Sequence, residues 1–224
     1  MNVFLDIETI PAQPEEQTKA AIRESIQAPA TMKKAETIKE WHEGKGKYAG
    51  VKDAAIEKTY RDTSFDGAKG QVCSIAWSTD GVTKSVSLNQ NSEAEVLQCF
   101  ANRIKDTCAG RPPFFIGHYI AGFDLKFLFH RFVIRGIDPG FSLPFYGRHE
   151  KDFYCTQQAW AGFGGKISQD NLCKALGLEG KPDDITGGQV WDFVKAGKIE
   201  RVQEYNESDV ETVVRIFNRL HFRS

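Results

Sequence analysis

Asn2-Val3-Phe4-Leu5-Asp6-Ile7-Glu8-Thr9-Ile10 opens the chain as an apolar, β-forming run interrupted by two carboxylates, Asp6 and Glu8, one residue apart. Alternate side chains of a strand point to one face. Asp6 and Glu8 therefore project together, while Phe4, Leu5 and Ile7 are available for burial. Two anions side by side raise each other's pKa unless a cation lies between them. A divalent cation with oxygen ligands, Mg²⁺ or Mn²⁺, satisfies such a pair. Taken alone, a D-x-E triplet is more often a strand end with two solvated acids at the mouth of a turn.

The 224 residues, 41% of them hydrophobic, suffice for one domain with a full core, or one domain carrying a large insertion. The net charge of −1 does not advertise nucleic-acid binding, but a local basic groove is enough for it. Cys73, Cys99, Cys108, Cys155 and Cys173 are odd in number and scattered, without a C-x-x-C pair, which argues against a zinc site or a disulfide framework. Reduced thiols suit an intracellular protein. The first strand lacks the basic start of a signal peptide, and no stretch approaches the roughly 20 apolar residues of a membrane span. The expectation is a soluble, cytoplasmic protein without a membrane partner.

Pro11 ends the first strand. The composition then turns polar and lysine-rich to about residue 70, with helical stretches at 14–26, 33–41 and 51–60, and reads as a helical insertion or lid at about 12–70. Gln71 to Ser78 and Val82 to Leu88 are strands joined at the turn signal Thr79-Asp80-Gly81. Ser92 with Glu95 forms a capping box for an amphipathic helix to Lys105. Phe114 to His118 is a short buried strand, and Phe123 to Ile134 an apolar helix stopped by Gly136. Asp152 to Thr156 is extended. Helices follow from Ser168 to Leu176, Val190 to Ala196 and Ile199 to Leu220, with a loop from Lys181 to Gly188. This order predicts an α/β domain: a mixed sheet, its first three strands antiparallel and the later ones parallel through helical crossovers.

Two further acids stand in apolar surroundings. Asp124 follows a buried strand and a glycine-containing turn, in Gly117-His118-Tyr119-Ile120-Ala121-Gly122-Phe123-Asp124. That arrangement aims a carboxylate back at the sheet, or else simply caps a helix. Tyr205 and Asp209 lie four apart on a helix and share a face. In isolation they read equally well as a phenol packed beside a solvated acid.

Together, acids on a strand, at a helix start and on the last long helix, in this order, resemble the DEDD superfamily of 3′–5′ exonucleases, with their RNase H-like mixed sheet flanked by helices. Tyr205, four residues before Asp209, is similar to the tyrosine of the DEDDy branch found in family-B DNA polymerase proofreading domains; the histidine branch would place His where Glu204 stands. The likeness is to stand-alone relatives of those domains. It extends to Arg148-His149 with Asp152, to Asn171 through Leu178 and to Glu204 through Thr212, and hardly covers 12–70. One departure is Tyr119, where that family commonly has Asn.

The resemblance implies a single exonuclease domain over 1–224 that hydrolyses 3′ ends of single-stranded DNA and releases 5′-mononucleotides. Its cofactors would be two divalent cations, Mg²⁺ or Mn²⁺, about 3.5–4 Å apart, held by Asp6, Glu8, Asp124 and Asp209. Tyr205 would position the attacking water, since a phenol of pKa near 10 is a poor base at neutral pH. Thr9, Ile10 and Phe123 would meet the terminal nucleotide, Phe123 by stacking, although it reads equally as core. His118 reads as a satisfied core histidine rather than a ligand. Lys33, Lys34, Lys39, Lys45 and Lys47 read as a solvated face before a phosphate track, and Lys181 is a candidate phosphate contact. Partners would be nucleic acid with a free 3′ end and a replication or repair protein. The alternatives are an exoribonuclease and a catalytically silent nucleic-acid-binding module.

Overall fold

The computed structural model describes residues 1–180 and 185–223; Lys181 and the first residues of its loop lie outside them. In chain order the elements are β1 (Asn2–Ile10), α1 (Glu15–Ser25), α2 (Ala35–Glu43), α3 (Val51–Asp62), β2 (Gln71–Thr79), β3 (Val82–Ser87), α4 (Glu93–Cys108), β4 (Phe114–Gly117), α5 (Asp124–Arg135), β5 (Phe153–Cys155), α6 (Thr156–Ala161), α7 (Gln169–Leu176), α8 (Val190–Lys195) and α9 (Ile199–Leu220). No described helix is long and apolar enough to cross a membrane. The chain divides into two compact units, Ile10–Gln71 and the remainder.

The Ile10–Gln71 unit is helical. Lys19 on α1 pairs with Glu57 on α3 at 2.5 Å, and Arg23 with Asp53 at 3.0 Å. Trp41, Ile56 and Tyr60 are among its buried side chains. Ala12 N–H donates to Thr63 Oγ1 at 2.9 Å, joining the start of the unit to its far end. Lys33, Lys34, Lys39, Lys45 and Lys47 are all exposed, and Lys39 and Lys45 both pair with Glu43.

The other unit holds a five-stranded sheet in the order β3-β2-β1-β4-β5. β2 and β3 are antiparallel, with Thr79 opposite Val82 across a turn in which Asp80 and Gly81 both have positive φ, the twist that favours a tight hairpin. β1 and β4 are parallel, Phe4 opposite Ile116, and so are β4 and β5, Gly117 opposite Cys155. Val3, Leu5 and Ile7 enter the main core with Leu97, Phe100 and Leu128 of α4 and α5. The opposite face is covered by α9, where Phe4, Ile116 and Tyr154 meet Val213 and Phe217. Phe4 therefore shares a face with Asp6 and Glu8, not with Leu5. Its ring meets Phe217 edge-on at 5.3 Å between centroids.

A buried ion network fixes the core-side helices. Glu93, 3% exposed, accepts from Arg131 Nε and Nη2 at 2.8 and 2.7 Å, from Arg135 Nε at 2.6 Å and from Val72 N–H at 2.9 Å. One carboxylate thus joins α4, α5 and the start of β2. The capping box predicted at Ser92 and Glu95 is formed. α6 follows β5 without a break and was not expected, because Thr156-Gln157-Gln158-Ala159-Trp160-Ala161 is too short to display a helical period.

Candidate active site

Parallel strands present their carboxyl ends at one edge of the sheet, and ligands of open α/β sheets gather there. β1 brings Asp6 and Glu8 to that edge. The turn after β4 brings Asp124. Gly117 makes the approach possible, since a Cβ there would lie 2.8 Å from Leu5 O and 2.8 Å from Ile120 Cδ1.

α9 supplies the remaining acid. Its buried stripe runs through Val202, Tyr205, Asn206, Asp209, Val210, Val213 and Ile216, the spacing of a helix face laid on a sheet. Asn206 and Asp209 interrupt this apolar stripe at 0% and 4% exposure. Burying an amide and a carboxylate is costly unless both are partnered. Asn206 Nδ2 donates to Asp6 Oδ2 at 2.7 Å, and Asn206 Oδ1 accepts from Ser74 Oγ at 2.9 Å. Gln169, at the start of α7, donates from Nε2 to the Asp209 carbonyl at 3.0 Å and to Asp209 Oδ1 at 3.4 Å.

The result is a cluster in which Asp6, Glu8 and Asp209 each offer one carboxylate oxygen, all within 4.8 Å of one another. Three hard oxygen donors at this spacing suit a hard divalent cation. Asp124 stands beside this trio. It is the first residue of α5, and its Oδ1 accepts from the Ile7 N–H at 3.1 Å, the peptide group between the two β1 acids. Burial raises its pKa from 3.8 to about 7, with the Asp209 charge adding to the rise and the Ile7 and Asp124 N–H groups opposing it. Burial, with the Glu8 charge adding to it, likewise holds the Cys73 thiol well above its usual value.

Tyr205 lies one turn before Asp209 and is 5% exposed. Thr9 is half-buried, whereas Ile10 is buried. Phe123 is half-buried, its ring 5.5 Å from that of Phe127, and it packs against the main core. His118 is satisfied at both nitrogens, by Thr156 Oγ1 at 2.9 Å and the Ile167 carbonyl at 2.8 Å. Sequence reasoning missed Asn206, Ser74 and Gln169. Asn206 had left a signal: it lies three residues before Asp209, on the same helix face. Ser74 and Gln169 had left none.

Residues 70–223 match the family described as "Predicted 3'-5' exonuclease related to the exonuclease domain of PolB". The match begins after β1, so Asp6 and Glu8 lie outside it, and the folded chain brings them to the matched Asp209. Among solved structures, the chain is similar to the family B DNA polymerase from the hyperthermophilic archaeon Pyrobaculum calidifontis, with a TM-score of 0.60 and 14% identity over 98% of this chain. The chain spans 24% of that polymerase. This likeness concerns the fold, and it agrees with an RNase H-like mixed sheet flanked by helices. No curated protein matches.

Proposed function

The chain belongs to the family of predicted 3′–5′ exonucleases related to the exonuclease domain of PolB, and on that premise we propose that it trims single-stranded DNA from the 3′ end, releasing 5′-mononucleotides. The observation that carries the proposal is the gathering of Asp6, Glu8 and Asp209 within 4.8 Å, with Asp124 bonded to the peptide between the first two. Four mutually repelling acids in one place, two of them buried and two half-buried, have little use without cations to neutralise them.

Asp6, Glu8, Asp124 and Asp209 would hold two divalent cations, Mg²⁺ or Mn²⁺. Bound there, such ions would lower the pKa of an attacking water and neutralise charge on the leaving 3′-oxygen and the phosphate. The protein groups set the geometry. Asn206 holds Asp6 in one rotamer through its bond to Oδ2, and Ser74 holds Asn206. Gln169 fixes Asp209 through both backbone and carboxylate. Tyr205, one turn from Asp209, orients the attacking water through its hydroxyl. Thr9, Ile10 and Phe123 are the candidate contacts for the terminal nucleotide, Thr9 and Phe123 being half-buried and Ile10 buried.

RNA ends are the second substrate class, because nothing in a carboxylate cluster selects the sugar. A replication or repair protein as partner and a cytoplasmic location belong to the same reading. The test is incubation of the protein with end-labelled single-stranded DNA, RNA and paired duplexes, in Mg²⁺ or Mn²⁺ against EDTA. Stepwise, cation-dependent shortening from the 3′ end of the single-stranded DNA is the expected result. Intact substrates in every lane would overturn the proposal, and faster loss of RNA would exchange one sugar for the other.

A further inference from the structure

A small pocket opens at the same sheet edge as the carboxylates, and no role has yet been assigned to it. It encloses about 270 Å³ and is lined by Tyr119, Gly122, Gln157, Phe163, Gly165 and Lys166, among others. That is below the ~300–1,000 Å³ of sites for drug-sized ligands and suits one planar ring system. Its floor includes Cys155, the last residue of β5, which lies opposite Gly117, the last residue of β4. One wall is therefore the turn that delivers Asp124.

Two features of this pocket are costly for folding alone. Tyr119 has a φ of 60°, a left-handed conformation rare for a bulky residue and concentrated at functional sites. Its ring lies over Gly122, where an added Cβ would come within 2.3 Å of Cζ, so the glycine leaves the ring room to lie there. The ring nevertheless remains 49% exposed. On the other wall Phe163 sits between Gly162 and Gly164, both with a φ of 77°, and is 96% exposed. An aromatic side chain held out to water by two left-handed glycines adds nothing to the core. Lys166, also exposed, puts a cation at the rim.

We propose that Tyr119 and Phe163 form the walls of a pocket that takes one unpaired nucleobase of the substrate strand, with Lys166 meeting the adjoining phosphate. The inference rests on the exonuclease reading and deepens it. Every base has a π-face, so stacking between two rings tolerates any sequence. A paired base cannot enter, so the pocket admits only a single-stranded end.

The test combines protein variants with abasic oligonucleotides. KM and kcat are measured for wild type, Phe163→Ala, Tyr119→Ala and Tyr119→Phe on single-stranded DNA of one sequence. A parallel series carries an abasic site at each of the positions nearest the 3′ end. Matching melting temperatures establish that the variants are folded. Either alanine variant should raise KM roughly 5- to 150-fold, the range for one stacked base, with a smaller effect on kcat, and Tyr119→Phe should restore most of it. In the wild type, one abasic position should impose a similar rise, and that rise should vanish in Phe163→Ala. A wild type that degrades single strands with no such position, or a penalty that persists undiminished in Phe163→Ala, overturns the pocket alone. A wild type that neither binds nor shortens any strand overturns the exonuclease reading and the pocket with it.

Discussion

Asp124→Asn should stabilise the cation-free protein, and only above mildly acidic pH. Asp124 is 3% exposed, and burial is the first cause of its displacement from 3.8 to about 7. A carboxyl whose folded pKa is raised binds more protons in the folded state than in the unfolded one. Stability is therefore lost as pH climbs from 3.8 towards 7 and stays low above that. At 1.36 kcal/mol per pH unit, the loss between about pH 4.5 and about pH 7.5 is about 3 kcal/mol. Asparagine carries no charge at either pH and keeps an oxygen for the Ile7 N–H. The assay is thermal unfolding of both proteins in EDTA across this interval. At the higher pH the variant should melt roughly 6–12 °C above wild type, and the gap should shrink at the lower pH. Adding Mn²⁺ should raise the melting temperature of wild type more than that of the variant, because ion binding to the folded state restores stability. A gap that is absent, or equally large at both pH values, would refute the reasoning.

Asp6→Ala and Asp209→Ala should each leave a folded protein with almost no hydrolysis and no melting shift on Mn²⁺ titration, whereas Tyr205→Phe should retain measurable turnover. Asn206→Leu should remove the bond to Asp6 and strand the Ser74 hydroxyl. Its cost is about 1–3 kcal/mol of stability, read by urea unfolding, together with weaker Mn²⁺ binding, read by calorimetry. Arg131→Met should destabilise by about 3 kcal/mol, because it leaves the buried Glu93 with Arg135 as its remaining described cation. Its midpoint in urea should fall, and a retained midpoint would show that the network is not structural.

The elements legible in the sequence are those with local causes. The alternation of β1, the 3.6-residue stripe of α9, the Ser92–Glu95 box and the stop at Gly136 are each set by residues within a turn or two of one another. The acids of β1 were legible as a pair because the pleat alone makes neighbours of Asp6 and Glu8. What escaped was decided by residues distant in the chain. Whether Asp124 capped its helix or reached the sheet was undecidable until β4 lay beside β1 and offered Ile7 N–H. Phe4, Leu5 and Ile7 were all expected to be available for burial, but the sheet has two covered faces, and strand alternation cannot say which element covers each. Asn206 meets Ser74, 132 residues away, so its role had no local signature beyond its place on the helix. The segment that makes α6 is one and a half turns long, too little for periodicity to register.

The order of the strands also bears on synthesis. β1 is made before its partners β2 and β4, which begin only at Gln71 and Phe114, and long before α9, the helix that covers its acidic face. A nascent chain thus carries Phe4, Asp6 and Glu8 without their shelter until α9, Ile199–Leu220, has been added. Pairings of such long sequence separation form slowly. The carboxylate cluster therefore forms late, and a polypeptide stopped before Ile199 lacks both Asp209 and the Asn206 that holds Asp6.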